Sequence, residues 1–188
     1  MTNKVVTVTS GHSNVGKIDS GAVTTVDGKL IKEADLAVKL RNAILHYLQQ
    51  DKEITTRCDG YGQTNLELKE AIKLIKGSHV ALEIHTNASA NKTANGIECI
   101  ALPKDKVLAQ KLSDAVATVT GSRLSGDKGY IGQEDSARGK LGYVSNGGLI
   151  LEVFFISNDS ELEVFEEKYW LIAKEVAQIL IDYVKSKK

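Results

Sequence analysis

The chain has 188 residues, with 24 Lys and Arg balanced by 24 Asp and Glu, so no global field draws it to nucleic acid or an anionic membrane. A hydrophobic content of 42% and a charged content of 26% suit a soluble globular chain, and no linker, repeat or low-complexity tract divides 1–188 into more than one domain. Cys58 and Cys99 lie far apart without a C-x-x-C spacing and read as reduced thiols. The apolar run at 1–8 is too short for a signal peptide, and no segment is long enough to span a bilayer.

Lys4 to Thr9 alternates valine with threonine and lysine, which predicts a first strand. It ends in Ser10-Gly11-His12, and a polar loop runs on through Asp19-Ser20-Gly21-Ala22 to Asp27-Gly28. In open α/β sheets functional groups gather beyond the carboxyl ends of strands, where His12 falls; a turn or capping histidine is the plainer alternative. An amphipathic helix is expected over about 31–50, its apolar face running Ala37, Leu40, Ile44, Tyr47 and Leu48. Extending that face backwards reaches Glu33, whereas Asp35 and His46 fall on the polar face. A first-turn carboxylate suits the helix dipole, but the dipole does not require it to face inward.

A second strand is expected over 53–58, then a helix over 65–76 carrying Leu68, Ala71, Ile72 and Ile75 at helical spacing. Residues 78–85 read as a central strand, with Val80, Leu82 and Ile84 on one face and His79, Ala81, Glu83 and His85 on the other. His85 closes this strand, while His79 sits at its entry and reads as structural. A strand over 96–102 and a helix from Pro103 to about Thr120 follow. Residues 121–148 hold 8 of the 16 glycines and predict an irregular region, either a cleft wall or lid or a plain surface loop.

Gly148 to Asn158 is an apolar run with one carboxylate, Glu152, in its middle, and reads as a strand buried on both faces. A carboxylate there must be neutral, paired or placed where its charge matters, unless the strand stops short and Glu152 reaches solvent. Asn158-Asp159-Ser160 with Glu161 and Glu163 resembles a capped helix start. The last helix then runs through Tyr169, Ile172, Val176, Ile179 and Tyr183 to a basic tail that reads as a solvated end.

Strands alternating with helices predict an α/β fold, a mostly parallel sheet with helices on both faces. The carboxyl ends of such strands share one edge, on which His12, Glu33, His85 and Glu152 can converge. Two imidazoles and one carboxylate make a common zinc shell with a fourth position left for water. A buried carboxylate beside it, its pKa raised by desolvation, suits proton transfer from that water to a leaving nitrogen.

The ordered blocks Gly11-His12, Asp19-Ser20-Gly21-Ala22, Glu33, Thr56-Arg57-Cys58-Asp59, His85-Thr86-Asn87-Ala88 and Leu151 to Asn158 resemble the zinc-dependent N-acetylmuramoyl-L-alanine amidases of the type 3 family. The resemblance covers essentially the whole chain and implies a mixed six-stranded sheet. It also implies Zn2+ held by His12, Glu33 and His85, with Glu152 as the catalytic carboxylate. The implied reaction cleaves the amide between the lactyl group of N-acetylmuramic acid and L-alanine in peptidoglycan. Gly11-His12-Ser13-Asn14, Glu83-Ile84-His85 and Asn146-Gly147-Gly148 are similar to single-domain phage endolysins. A monomer is then expected, made in the host cytoplasm without a signal peptide and reaching the periplasmic wall through a membrane opened by another protein, such as a holin.

Three departures from the family pattern stand out. Gly-His-Gly is here Gly11-His12-Ser13, and a lysine replaces the arginine usual in the second helix, which leaves an ion pair there open. The family's Arg-Gly matches Arg138-Gly139 and gives Arg138 a substrate contact, with Arg123 as its competitor. Glu83 stands where a small residue is usual, and either orients His85 or meets solvent. The rival readings are a zinc peptidase acting on stem peptides and a non-catalytic wall-binding module. The second has no use for a buried Glu152 beside three ligand candidates.

Overall fold

The computed structural model describes residues 3–187; Met1, Thr2 and Lys188, which belong to the expected amino-terminal run and the basic tail, lie outside the described residues. The chain runs β1 (Lys4–Ser10), β2 (Val23–Val26), β3 (Lys29–Lys32), α1 (Glu33–Leu48), β4 (Ile54–Arg57), α2 (Leu68–Ile75) and β5 (Val80–Asn87). It continues with β6 (Glu98–Ala101), α3 (Lys106–Thr120), β7 (Tyr130–Gly132), α4 (Gly142–Ser145), β8 (Leu149–Phe155) and α5 (Asp159–Ser186).

Six strands form one mixed sheet in the order β4-β1-β5-β8-β6-β7. The first four are parallel; β6 runs antiparallel to β8, and β7 parallel to β6. Period two in the strands divides the apolar residues between two faces. Val6, Val8, Leu82, Ile84 and Leu151 pack under α1, α3 and α5 with Leu40, Ile44, Leu112 and Val176. Ala81 and Ile150 pack on the other face with Ala71 of α2 and Tyr143 of α4. Helices thus cover both faces of β8, which is why Glu152 is buried inside the strand rather than at a frayed end.

Two local expectations are corrected. Residues 23–32 form a β2–β3 hairpin, turned at Asp27 (φ 50°) and Gly28 (φ 75°), so α1 begins only at Glu33. Paired positive φ values at an Asp-Gly step favour a tight hairpin turn over helix entry. The region 121–148 contains β7 and α4 rather than being wholly irregular. The end of α5 is solvated as expected, Lys185 to Lys187 being exposed, with Lys185 paired to Asp51 at 2.6 Å and Glu53 at 2.8 Å. Asn158 caps α5 as expected, accepting from the backbone of Ser160 and Glu161. The Glu161 carboxylate, however, accepts from Gly96 N and Phe155 N and so ties the helix start to the end of β8. Among the described residues no helix is long and apolar enough to cross a membrane.

Candidate metal and catalytic site

The parallel strands bring the ends of β1 and β5 to one sheet edge, and α1 starts beside it. Gly11 carries the chain across this edge, its N–H donating to Ile84 O at 2.8 Å. A Cβ at Gly11 would fall 2.2 Å from the His85 ring, so any side chain there would collide with the imidazole. His12 follows in the left-handed region at φ 67°, uncommon for a residue with a Cβ. Buried Asn65 holds that turn, donating to Gly11 O at 3.1 Å and His12 O at 2.9 Å.

Glu33 is fully buried and opens α1 with its side chain toward the edge. Its Oε1 accepts from Thr86 N and its Oε2 from Ala22 N, both at 2.9 Å. Thus pinned, the carboxylate lies 3.0 Å from His12 Nε2 and 3.0 Å from His85 Nδ1. The donor atoms of His12, Glu33 and His85 all lie within 4.8 Å of one another. On the far side of each ring another carboxylate waits: Asp19 Oδ2 at 3.0 Å from His12 Nδ1, and Glu83 Oε1 at 3.1 Å from His85 Nε2. His12 Nε2 is buried and, despite its short distance to Glu33, makes no well-directed hydrogen bond.

The charges agree with this geometry. Burial alone would raise Glu33, but the imidazoles of His12 and His85, each 3.0 Å away, outweigh that and hold it well below the usual carboxylate range. Burial would lower both histidines, yet His12 is raised by Glu33, and His85 is raised well above its ordinary value by Glu33 and Glu83. Both rings thus favour a proton beside the buried carboxylates. A divalent cation carries the same charge to the same place. An orphaned imidazole nitrogen among two-histidine, one-carboxylate donors fits zinc.

Glu152 lies opposite His85 in the β5–β8 register, is 3% exposed, and has an Oε2 without a hydrogen-bond partner. Burial pushes its carboxyl up to about 7, partly offset by the positive charge of His85. A cleft of about 500 Å³ opens over these groups, lined also by Glu83, Tyr143 and Arg138. Burial raises the Glu98 carboxyl as well, and the charge of the exposed Arg138 partly offsets the rise of both Glu152 and Glu98. Arg123 instead donates to Asn95 Oδ1 at 2.9 Å and is not among the cleft residues.

Several supports escape sequence reasoning. The buried ion pair belongs to the first helix, where Arg41 Nη1 meets Asp59 Oδ1 at 2.9 Å with both side chains fully buried. Asp59 also accepts from Ser10 N, bracing the end of β1 ahead of His12. In α2 the lysines are Lys69 and Lys73, both exposed and paired with Glu67 at 3.4 Å and Glu70 at 2.7 Å. Arg41 leaves a faint signal, since it falls on the inward stripe with Ala37, Leu40 and Ile44. Asn65 leaves none that its polar loop would reveal.

The family of N-acetylmuramoyl-L-alanine amidases matches residues 6–182. The chain belongs to that family. A crystal structure of a proposed N-acetylmuramoyl-L-alanine amidase from Neisseria meningitidis is 42% identical, covering 95% of this chain and 94% of that one with a TM-score of 0.84. The catalytic domain of CwlV, an N-acetylmuramoyl-L-alanine amidase from Bacillus (Paenibacillus) polymyxa var. colistinus, is 24% identical over 98% and 99% of the two chains, with a TM-score of 0.80. An N-acetylmuramoyl-L-alanine amidase from Clostridium difficile 630 is 23% identical over 100% of both chains, with a TM-score of 0.82. At these lower identities the likeness is one of fold. No curated protein matches the chain.

Proposed function

We propose that this amidase-family chain hydrolyses the amide between the lactyl group of N-acetylmuramic acid and L-alanine in peptidoglycan. In this reading His12, Glu33 and His85 hold Zn2+ and Glu152 moves the proton. The observation that carries it is the three-donor cluster placed beside a second buried carboxylate whose pKa stands at about 7. Zinc held by the three donors would acidify water and polarise the scissile carbonyl. Glu152, ionised, takes the proton of the attacking water and then gives it to the alanine nitrogen as the C–N bond breaks. A pKa near the operating pH lets one carboxyl serve as base and then as acid. Arg138 reaches the substrate from the cleft rim and offsets charge developing on the carbonyl oxygen.

Mass spectrometry of soluble products from peptidoglycan treated with the zinc-loaded protein tests this. Free stem peptides beginning with alanine, beside glycan without peptides, are the expected result. Shortened stems still joined to muramic acid would make the protein a zinc peptidase, and bound zinc with no product would leave a wall-binding module. The proposed setting is phage-driven host lysis, supported by the likeness of Gly11-His12-Ser13-Asn14, Glu83-Ile84-His85 and Asn146-Gly147-Gly148 to phage enzymes. Added from outside, the protein should clear permeabilised Gram-negative cells and leave intact ones turbid. Clearing of intact cells would remove the need for a holin.

A further inference from the structure

Glu83 takes no part in the ligand set or the proton transfer, yet it is a buried carboxylate, 3% exposed, on the cleft floor. It sits two residues before His85 on the same face of β5, paired in register with Thr9 of β1 and Ile150 of β8. Its Oε1 lies 3.1 Å from His85 Nε2. Thr9 Oγ1, hydrogen-bonded to Tyr143 at 3.0 Å, donates to Glu83 Oε2 at 3.4 Å. The carboxylate is therefore held at both ends, one oxygen by the fold and one by the imidazole. Gly11 closes the approach to the ring itself.

We infer that Glu83 is the positioning residue of the metal site. By accepting from His85 Nε2–H it selects one tautomer, which leaves the Nδ1 lone pair toward Glu33 and the cation. Its charge also makes that nitrogen a better donor. Asp19 stands in the same relation to His12, but its side chain is 62% exposed against 4% for Glu83, so water weakens its hold. The inference rests on the zinc reading proposed above.

The test compares the full chain with Glu83→Ala, Glu83→Gln and Asp19→Asn. Zinc affinity is measured by chelator competition, and the gain in Tm on adding zinc is recorded for each. Glu83→Ala should weaken zinc on the order of 10–100-fold and shrink that gain. Glu83→Gln keeps an acceptor for Nε2–H and should recover part of the loss, and Asp19→Asn should cost less than Glu83→Ala. Imidazole 15N shifts, taken at a pH where the rings are neutral, should report the Nε2–H tautomer of His85 in wild type and Glu83→Gln. Should Glu83→Ala fail to fold, weaker zinc binding with the tautomer intact in Glu83→Gln still supports the inference. Equal zinc affinity in wild type and the folded Glu83 variants would overturn it, even if Tm fell equally with and without zinc. A wild type that binds zinc but releases no stem peptide sinks the amidase reading alone, whereas a wild type that binds no zinc sinks both.

Discussion

Glu152 is the residue on which stability and chemistry pull apart. An ordinary glutamate titrates near 4.3 in an unfolded chain, whereas burial pushes Glu152 up to about 7 in the folded one. Between those values the folded chain binds the extra proton. Its contribution to stability is therefore whole below the unfolded pKa and is lost as pH rises through 7. Glu152→Gln removes the titration. With zinc chelated, the variant should match wild type near pH 4 and exceed it at pH 8 by roughly 4 kcal/mol, at about 1.4 kcal/mol per pKa unit. Denaturation curves at the two pH values check this, and an equal difference at both would refute it. The same variant should bind zinc yet lose about 10²–10⁴-fold in turnover, the usual worth of a positioned acid–base. Gly11→Ala acts on a ligand instead. Its Cβ would fall 2.2 Å from the His85 ring, so zinc should be lost while the circular dichroism spectrum stays native. Zinc retained at full stoichiometry would show that the ring can move aside.

At the scale of elements, α1 does two jobs: its first residue is Glu33 and its inward face carries Arg41. Arg41→Met leaves Asp59 buried without its cation, which should cost about 3–5 kcal/mol in urea unfolding. Replacing Asp59 by Leu in the same chain should recover much of that loss, because an apolar pair leaves no orphaned charge; a double variant no better than the single one would count against the pair. The elements were legible where one periodicity ran unbroken, as in β5, α5 and the buried run of β8. The hairpin was written in Asp27-Gly28, but the helical spacing beyond it drew the helix boundary back to 31. The antiparallel direction of β6 comes from pairing with β8, which no local pattern encodes. Glu33, His12, His85 and Glu152 were legible as a set because parallel strands gather their carboxyl ends. Their supports Asn65 and Tyr143 come from the opposite layer of the fold, and only packing brings them to the edge.

The candidate metal site joins residues that are far apart in the chain, since His12 follows β1, Glu33 opens α1 and His85 lies near the end of β5. No such site exists in the unfolded chain, so a cation bound there stabilises the whole domain. With free zinc at about 100 times its Kd the gain is about 2.7 kcal/mol. At roughly 2–4 °C per kcal/mol for a domain of this size, chelation should lower Tm by about 5–11 °C and zinc should restore it. Magnesium should not, because imidazole donors suit zinc and magnesium prefers oxygen. The protons that Glu33 holds on the facing nitrogens of the two rings must leave when the cation enters, while Glu83 keeps the Nε2–H of His85, so the gain should shrink as pH falls. Differential scanning calorimetry of wild type and His12→Ala, each with zinc and with chelator, decides the matter. The variant should lose the zinc-dependent gain, and a gain that survived in it would place the cation somewhere other than this cluster.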